Sequence, residues 1–274
     1  MPEKPEVITV ARSLKPKIVG KKITNCNVYW NNIIAHPTTD LFKKETINQV
    51  IHDVTTNGKF INILLDDYNL LIHLRMEGKF FFRKKGDMIN KHEHVEFILD
   101  DDISFRFHDV RKFGKMYLIK KEKVNSVKPL NELGLEYNDK NLTKEYLFSK
   151  IKNKKTPIKT TLLDQSIICG IGNIYDDEIL FMSSINPIRK SCDITLEECD
   201  KIIKNTNIVL NRAIELGGTT IKSFTSSEGV HGLFQNELLV HGKQGEKCPK
   251  CGSILKKIKV AGRGTTYCPK CQEK

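Results

Sequence analysis

Apolar residues near the start of the chain recur at the spacing of an α-helix. They follow the i, i+3, i+4, i+7 pattern at Val7, Val10, Ala11 and Leu14. Pro5 and Glu6 stand where a first helical turn favours proline and an acidic side chain. The chain is therefore predicted to open with a short helix.

From about Lys22 to Lys121 the pattern changes to short apolar runs that turn residues separate. The clearest runs are Phe60 to Leu65, Leu70 to Leu74, Val95 to Leu99 and Ile103 to Phe107. Three aspartates, Asp100 to Asp102, stand between the last two runs and favour a hairpin turn. This region is therefore predicted to be mostly β-structure.

Beyond Pro129 the pattern becomes helical. The predicted helix starts are Thr143, the pair Thr156-Pro157 as N-cap and first helical residue, and a capping box of Thr195 with Glu198. Gly217 and Gly218 are predicted to end the last long helix. The second half of the chain is therefore expected to fold mainly as helices.

Within this half, the run from Leu162 to Tyr175 predicts a helix, a glycine turn and a second helix that begins near Asn173. Backbone N–H groups at that start, together with the Asn173 side chain, could hold a phosphate group. An ordinary helical hairpin is the alternative, because Gly-x-Gly-Asn alone is a weak pattern. The nearby lysines at positions 154, 155 and 159 favour the phosphate interpretation.

Four of the eight cysteines have the spacing of a zinc site. Cys248, Cys251, Cys268 and Cys271 form two C-x2-C pairs with sixteen residues between them, which suits two tight turns around one ion. A redox pair or an iron–sulfur cluster is an alternative that this spacing favours less. We therefore predict one structural Zn²⁺ in a zinc ribbon, with Arg263 at the tip of the intervening hairpin as a phosphate contact or an ordinary exposed arginine. The other four cysteines, Cys26, Cys169, Cys192 and Cys199, are expected to be packing residues.

Composition adds a candidate partner. The 274 residues include 45 Lys and Arg against 33 Asp and Glu, a net charge of +12, and 39% are hydrophobic. This charge suits a polyanion such as nucleic acid, although a lysine-rich proteome would produce a similar excess. No apolar run of transmembrane length and no signal peptide is found, so a cytoplasmic protein without a membrane partner is expected.

The N-terminal run Met1-Pro2-Glu3-Lys4-Pro5-Glu6-Val7 resembles the signature of the formamidopyrimidine-DNA glycosylase and endonuclease VIII family. Further motifs follow in the same order as in that family: Lys59, His73 to Gly78, His92 to His94, Asp109 to Gly114, Leu162 to Tyr175, Gly217 to Thr220 and the cysteine pairs. The resemblance therefore covers nearly the whole chain.

The resemblance implies an α+β fold. We expect an N-terminal β-sandwich with a leading helix as the catalytic domain at residues 1–130. A helical domain with a helix-two-turn-helix motif is expected at residues 131–235, and a zinc-ribbon β-hairpin at residues 236–274.

The resemblance also implies a bifunctional enzyme of base excision repair. Pro2 would become the N-terminal amine once Met1 is removed, attack C1′ of the damaged nucleotide, and form a Schiff base that leads to β- and δ-elimination. Glu3 is expected to act as general acid/base, and Lys59 to support catalysis at the adjoining phosphate. Arg263 is expected to bind phosphate and assist δ-elimination.

The expected partner is damaged double-stranded DNA, and the protein is expected to be a monomer. The resemblance gives three side chains that fill the gap left by the extruded base: Met76, Arg111 and Phe113. His92, Arg111 and Lys154 are expected to contact DNA, and Lys159 and Asn173 to contact phosphate through the helix-two-turn-helix. His73 is expected to support the site without taking part in the chemistry.

The Arg111-Lys112-Phe113-Gly114 loop resembles the branch that removes oxidised purines, namely 8-oxoguanine and formamidopyrimidines. Two alternatives stay open: excision of oxidised pyrimidines as in the endonuclease VIII branch, and an inactive zinc-ribbon DNA-binding protein. Residues that depart from the family pattern are Lys4, Ile8, Lys112 and His241. Ser223 to Leu233 resembles the loop that covers the extruded base.

Overall fold

The computed structural model describes residues 1–219 and 232–273. The chain divides into two compact units. The first comprises Met1–Asn131 with Gly217–Gly232, and the second comprises Glu132–Leu216 with Leu233–Lys274. The division into three segments that the sequence suggests stays a prediction.

The first unit opens with helix α1, Lys4–Ile18, which confirms the predicted leading helix. Its predicted apolar positions are all buried, so one face of the helix packs into the core. Glu3 is the N-cap, and Glu3 and Glu6 form a capping box that satisfies N–H groups of the first turn.

In the described part of the first unit, nine strands form two sheets. The strands are β1 Ile23–Val28, β2 Ile34–His36, β3 Asp53–Asn57, β4 Phe60–Leu64, β5 Tyr68–His73, β6 Lys79–Lys84, β7 Glu93–Leu99, β8 Ile103–His108 and β9 Lys115–Lys120. One sheet has the order β1-β7-β8-β6 and the other β2-β9-β5-β4-β3. The hairpin predicted at Asp100 to Asp102 is confirmed by the antiparallel β7–β8 pair, with Asp102 at φ 58°.

Both sheets contribute side chains to one hydrophobic core, which confirms the predicted sandwich. Phe97 of β7 stacks on Phe105 of β8 with ring centroids 4.7 Å apart, and Ile61 and Ile63 of β4 are fully buried. A second helix in this unit, α2 at Thr39–Thr46, was not predicted. It buries only Phe42 and Thr46, so it carries no apolar stripe that the sequence pattern could reveal.

The second unit contains the helices, in agreement with the prediction. They are α3 Lys144–Ile151, α4 Ile158–Leu162, α5 Asn173–Met182 and α6 Leu196–Glu215, and a short parallel pair is formed by β10 Leu135–Glu136 and β11 Ile168–Cys169. The Thr143 cap and the Thr195–Glu198 capping box are confirmed. The start predicted at Thr156-Pro157 is one residue early, because Pro157 at ψ 140° is itself the non-helical N-cap.

The C-terminal segment of the second unit forms the predicted hairpin. Strands β12, Lys256–Val260, and β13, Arg263–Tyr267, pair antiparallel between the two cysteine pairs. Among the described residues, no helix combines the length and hydropathy that crossing a membrane requires.

Candidate active site and metal centre

The start of α1 is a buried cluster of candidate catalytic residues. Pro2 is buried and Glu3 is only 3% exposed. Lys4, which is 4% exposed, donates a hydrogen bond from Nζ to Oγ1 of Thr56 at 3.2 Å, near the end of β3. The N-terminal residues are therefore anchored beside the turn that follows β3.

That turn carries Lys59. Asn57 of β3 pairs with Phe60 of β4, so Gly58 and Lys59 form a two-residue hairpin turn in which Gly58 has φ 52°. Lys59 is only 6% exposed. The structure thus brings the predicted Lys59 to the same end of the first unit as Pro2 and Glu3.

His73 lies at the end of the neighbouring strand. It pairs with Phe60, and its ring meets the Phe60 ring edge-on at 4.8 Å. Burial, followed by the positive charges of Arg75 and Lys59, lowers the pKa of His73 to about 3. The Arg75 N–H donates to Nδ1 of His73 at 2.9 Å, which requires that nitrogen to be unprotonated. His73 therefore acts as a neutral neighbour of Lys59.

Glu6 organises the cluster from within the helix. One carboxylate oxygen accepts the Glu3 N–H at 2.8 Å, and the other accepts the N–H of Thr219 at 2.8 Å and its hydroxyl at 3.1 Å. Gly218 approaches so closely that an added Cβ would lie 2.6 Å from Glu6 Oε1, and its φ of +79° also favours glycine. The Gly217-Gly218 pair thus serves close packing on Glu6 as well as helix termination.

The loop of Arg111 and Phe113 is held by one carboxylate. Asp109, which is fully buried, accepts backbone N–H groups from Arg111 at 3.0 Å, Phe113 at 2.8 Å and Gly114 at 2.8 Å. The Arg111 guanidinium lies 4.8 Å from the Phe113 ring centroid, and Phe113 is 49% exposed. An exposed aromatic on a rigid loop suits insertion into a base stack.

The buried ring of Phe107 lies against both Gly114 of this loop and Gly78 of a second turn. A Cβ added at Gly78 would lie 2.8 Å from its ring, and one added at Gly114 would lie 2.5 Å from it. Gly78 also donates its N–H to the Leu74 carbonyl at 2.9 Å, which closes the turn that carries Met76. Met76 and Phe113 thus belong to two turns that pack on one buried ring.

His92 is tied to the same loop, because its carbonyl accepts the Asp109 N–H at 2.9 Å. Its ring meets the ring of His108 edge-on at 5.6 Å. Burial lowers the pKa of His108. The first unit therefore brings His92 together with the loop of Arg111 and Phe113, which lies later in the sequence.

In the second unit, α5 begins at Asn173 as predicted. The Asn173 side chain donates Nδ2–H to the carbonyl of Gly264 at 3.1 Å. Arg263, the residue before Gly264, is exposed at the start of β13. The helix start and the ribbon tip are therefore adjacent within this unit, so Asn173 and Arg263 are brought together.

Two predicted lysines have different surroundings. The Lys154 side chain is 40% exposed and its amine lies 3.4 Å from an Asp164 carboxylate. Lys159 is fully buried, hydrogen-bonds Asp177, and lies 3.8 Å from Asp176. Its amine already serves as an internal ion-pair partner, so the structure does not support the phosphate contact expected for Lys159.

The four predicted cysteines form a compact metal centre. Their Sγ atoms all lie within 4.8 Å of one another, including 3.8 Å between Cys248 and Cys271 and 3.5 Å between Cys251 and Cys268. Zn–S bonds of about 2.3 Å in a tetrahedron place sulfurs about 3.8 Å apart, so the residues fit one structural Zn²⁺.

Several organising residues were not identified from the sequence. Arg106, fully buried in β8, binds Glu96 at 2.8 Å and Glu93 at 3.1 Å. Glu178 of α5 accepts three successive backbone N–H groups, those of Leu239, Val240 and His241. Asp109 was noted only as the first residue of the Asp109 to Gly114 motif. Its role could have been recognised, because an aspartate that opens a tight turn commonly accepts hydrogen bonds from the N–H groups of that turn.

The remaining predicted segment lies mostly outside the described residues. Of the loop expected to cover the extruded base, Ser223 to Leu233, the structure describes only residues 232 and 233. Thr220, the last residue of the glycine motif, is likewise not described.

Comparison with known proteins finds family models for three successive parts of the chain. Three family models match: the formamidopyrimidine-DNA glycosylase N-terminal domain at residues 1–116, the H2TH domain of that glycosylase at residues 133–225, and the zinc finger found in FPG and IleRS at residues 245–274. The chain is similar to the formamidopyrimidine-DNA glycosylases of Bacillus anthracis, with 42% identity, and of Oceanobacillus iheyensis, with 41% identity. Each match covers 99% of this chain, and 99% and 98% of the respective relatives.

Among solved structures, the chain is similar to Lactococcus lactis Fpg in complex with DNA that contains an abasic site, with 35% identity and a TM-score of 0.92. It is also similar to wild-type Lactococcus lactis Fpg (MutM) in complex with DNA that contains N7-benzyl-Fapy-dG, with 36% identity and a TM-score of 0.92. Both likenesses cover 100% of each chain.

Proposed function

Because the chain belongs to the formamidopyrimidine-DNA glycosylase family, we propose that it removes oxidised purines from double-stranded DNA and then cuts the strand. The observation that carries this proposal is the buried N-terminal cluster, in which Pro2 and Glu3 lie beside the turn that bears Lys59. The DNA in the similar Lactococcus lactis complexes supports the choice of substrate.

Removal of Met1 exposes the secondary amine of Pro2. With a pKa of about 8, an α-amine is partly unprotonated at neutral pH and can act as a nucleophile. Its nitrogen forms a bond to C1′ while the bond between C1′ and the damaged base breaks and the base leaves with a proton. Glu3 supplies a proton to the sugar ring oxygen, which opens the ring and leaves a positively charged iminium ion (a Schiff base) between the Pro2 nitrogen and C1′.

The iminium ion acidifies the hydrogens at C2′. Loss of one of them breaks the bond from C3′ to its phosphate oxygen, and a second elimination breaks the bond from C5′ to its phosphate oxygen. Hydrolysis of the iminium ion then releases the sugar fragment and restores the amine. Lys59, beside the cluster, and Arg263, on the ribbon, stabilise the negatively charged phosphates during these steps.

Binding uses the residues that each unit gathers. In the first unit, His92 and the Arg111 loop contact the duplex, and Met76, Arg111 and Phe113 fill the gap that the extruded base leaves. In the second unit, Lys154 and the α5 start at Asn173 contact phosphates. The zinc ribbon presents Arg263, and Zn²⁺ serves to hold that hairpin folded.

Borohydride trapping tests the proposal directly. Protein whose loss of Met1 has been verified by intact mass, and which is loaded with zinc, is expected to form a covalent adduct at Pro2 with duplex containing 8-oxoguanine. The same protein with Met1 retained is the matched control, because its Pro2 nitrogen is an amide and forms no adduct.

Binding of the duplex without formation of any adduct would refute the proposed enzymatic activity. It would support the alternative of an inactive zinc-ribbon DNA-binding protein. A duplex with an oxidised pyrimidine separates the two branches. Faster excision of that base than of 8-oxoguanine would support the endonuclease VIII-like alternative.

A further inference from the structure

Trp30, the single tryptophan of the sequence, lies against the loop of Arg111 and Phe113. The Lys112 ammonium stands over its indole ring, 4.1 Å from the centroid. This distance is within the range of a cation–π interaction, and tryptophan is the strongest aromatic partner for one. The middle residue of the loop is therefore attached to a segment that lies far earlier in the sequence.

Neighbouring side chains in the loop have different partners. Arg111 lies over Phe113 at 4.8 Å, whereas Lys112 lies over Trp30. Lys112 has φ 58°, in the left-handed region that a lysine rarely adopts. The Asp109 carboxylate fixes the loop backbone, and the contact with Trp30 opposes relaxation of this unfavourable conformation.

The backbone beside Trp30 belongs to the same network. The Tyr29 N–H donates to the His94 carbonyl at 2.8 Å, and Nε2 of His94 is 2.8 Å from the carbonyl of Asp109, to which it must donate. A second link comes from the Lys115 amine, which donates to the Asn32 carbonyl. Trp30 thus lies between Tyr29 and Asn32. The backbone of Tyr29 connects through His94 to Asp109, and that of Asn32 connects to Lys115, just after the loop.

Core packing does not explain Trp30. It is 37% exposed, and the loop beside it exposes Val110 at 50% and Phe113 at 49%. Trp30 is therefore a partly exposed ring in contact with Lys112, which it can order without being enclosed itself.

We propose that Trp30 is a positioning residue for base extrusion. It acts through Lys112 to hold the Arg111 to Phe113 loop in the conformation that fills the gap in the duplex. The inference rests on the proposed function, since it concerns how the same site engages double-stranded DNA.

The test compares two substrates. Excision of 8-oxoguanine from duplex requires the loop, whereas cutting at an abasic site in a single-stranded oligonucleotide involves no partner base or stack to open. Trp30→Ala and Lys112→Met are each expected to slow single-turnover excision from duplex by about two- to fivefold, the factor that an exposed cation–π contact supports. Both variants should cut the single strand at the wild-type rate.

Three further variants sharpen the result. Trp30→Phe and Lys112→Arg keep an aromatic ring and a cation, and should restore most of the duplex activity. The double variant Trp30→Ala/Lys112→Met should be no slower than either single variant, because both remove one contact. Lys17→Met is the matched control, since Lys17 stands 4.8 Å over the Phe82 ring in the same unit. It should leave both activities unchanged.

Fluorescence gives an independent readout, because all tryptophan emission comes from Trp30. Lys112→Met should change that emission and Lys17→Met should not. Wild-type excision rates in Trp30→Ala, additive effects in the double variant, or equal losses on both substrates would each overturn the inference. A wild-type protein that processes neither substrate would instead refute the proposed function, and the inference would fall with it.

Discussion

Replacement of Lys159 by methionine distinguishes a buried ion pair from a DNA contact. Lys159 is fully buried and so are its partners, with Asp177 in direct hydrogen bond and Asp176 at 3.8 Å. Removing the lysine leaves two carboxylates in the interior without their shared cation. Breaking a buried pair in this way costs about 3 to 5 kcal/mol.

Asp177 would keep two other partners, Nδ1 of His241 at 2.7 Å and the N–H of Thr266 at 3.2 Å. The cost is therefore expected near the lower end of that range, about 3 kcal/mol. For a chain of 274 residues, that corresponds to a Tm lower by about 5 °C. Lys159→Met/Asp177→Asn should recover part of the loss, because one of the two stranded charges is then absent.

The decisive assay is the salt dependence of DNA binding, measured where every variant is folded. A lysine that contacts a phosphate contributes about 0.9 to the slope of log K against log salt. Lys159→Met should leave this slope unchanged. Lys154→Met is the matched control, because the Lys154 side chain is 40% exposed in a 3.4 Å surface pair. It should lower the slope by about 0.9 and change stability by less than about 1 kcal/mol. An unchanged Tm together with a reduced slope for Lys159→Met would refute the buried-pair assignment.

Three further predictions concern other parts of the molecule. Removing zinc with a chelator should unfold the ribbon and weaken DNA binding, which circular dichroism and a binding titration check; retention of both would contradict a structural role of the metal. Gly218→Ala should destabilise the protein by at least about 1 kcal/mol and slow excision, because a Cβ at φ +79° would lie 2.6 Å from Glu6 Oε1. A denaturant titration measures the stability and single-turnover kinetics measure the excision rate. Wild-type values of both would count against this prediction. His73 has a pKa of about 3 in the folded protein against 6.5 for the ordinary side chain, so the unfolded state binds more protons between these pH values and stability falls as pH falls through that window. Between about pH 7.5 and pH 5, the free energy of unfolding of the wild type should fall by about 2 kcal/mol more than that of His73→Asn, as measured by urea titrations. Equal losses in the two proteins would argue against His73 as the cause.

Much of the fold follows from local sequence signals. The structure confirms α1 from the apolar spacing after Pro5, a hairpin from the three aspartates after Leu99, and a helix start from Thr143. Each signal depends on residues a few positions apart, whose backbone preferences and hydrogen bonds act within one turn or one strand pair. Helix α2 was missed because it packs by Phe42 and Thr46 alone, and this burial is decided by distant strands.

The candidate site also combines features that local sequence determines with features that only tertiary packing determines. The cysteine spacing by itself determined the metal centre, because two tight turns and a hairpin bring the four thiolates together through local chain geometry. The resemblance located Pro2, Glu3 and Lys59, but only the tertiary structure placed them at one end of the same unit. The resemblance made Lys159 a phosphate contact, whereas the structure buries it in an ion pair with Asp177.

The sequence by itself determined the leading helix, the hairpin, the helix starts after Thr143 and Thr195, the zinc ribbon and the types of residue available for chemistry. Only the tertiary structure decided that the turns of Gly78 and Gly114 meet on Phe107 and that Trp30 meets Lys112. These contacts depend on the approach of separate strands and turns. Such properties belong to the packed chain, since no local pattern specifies which distant side chain will be the partner.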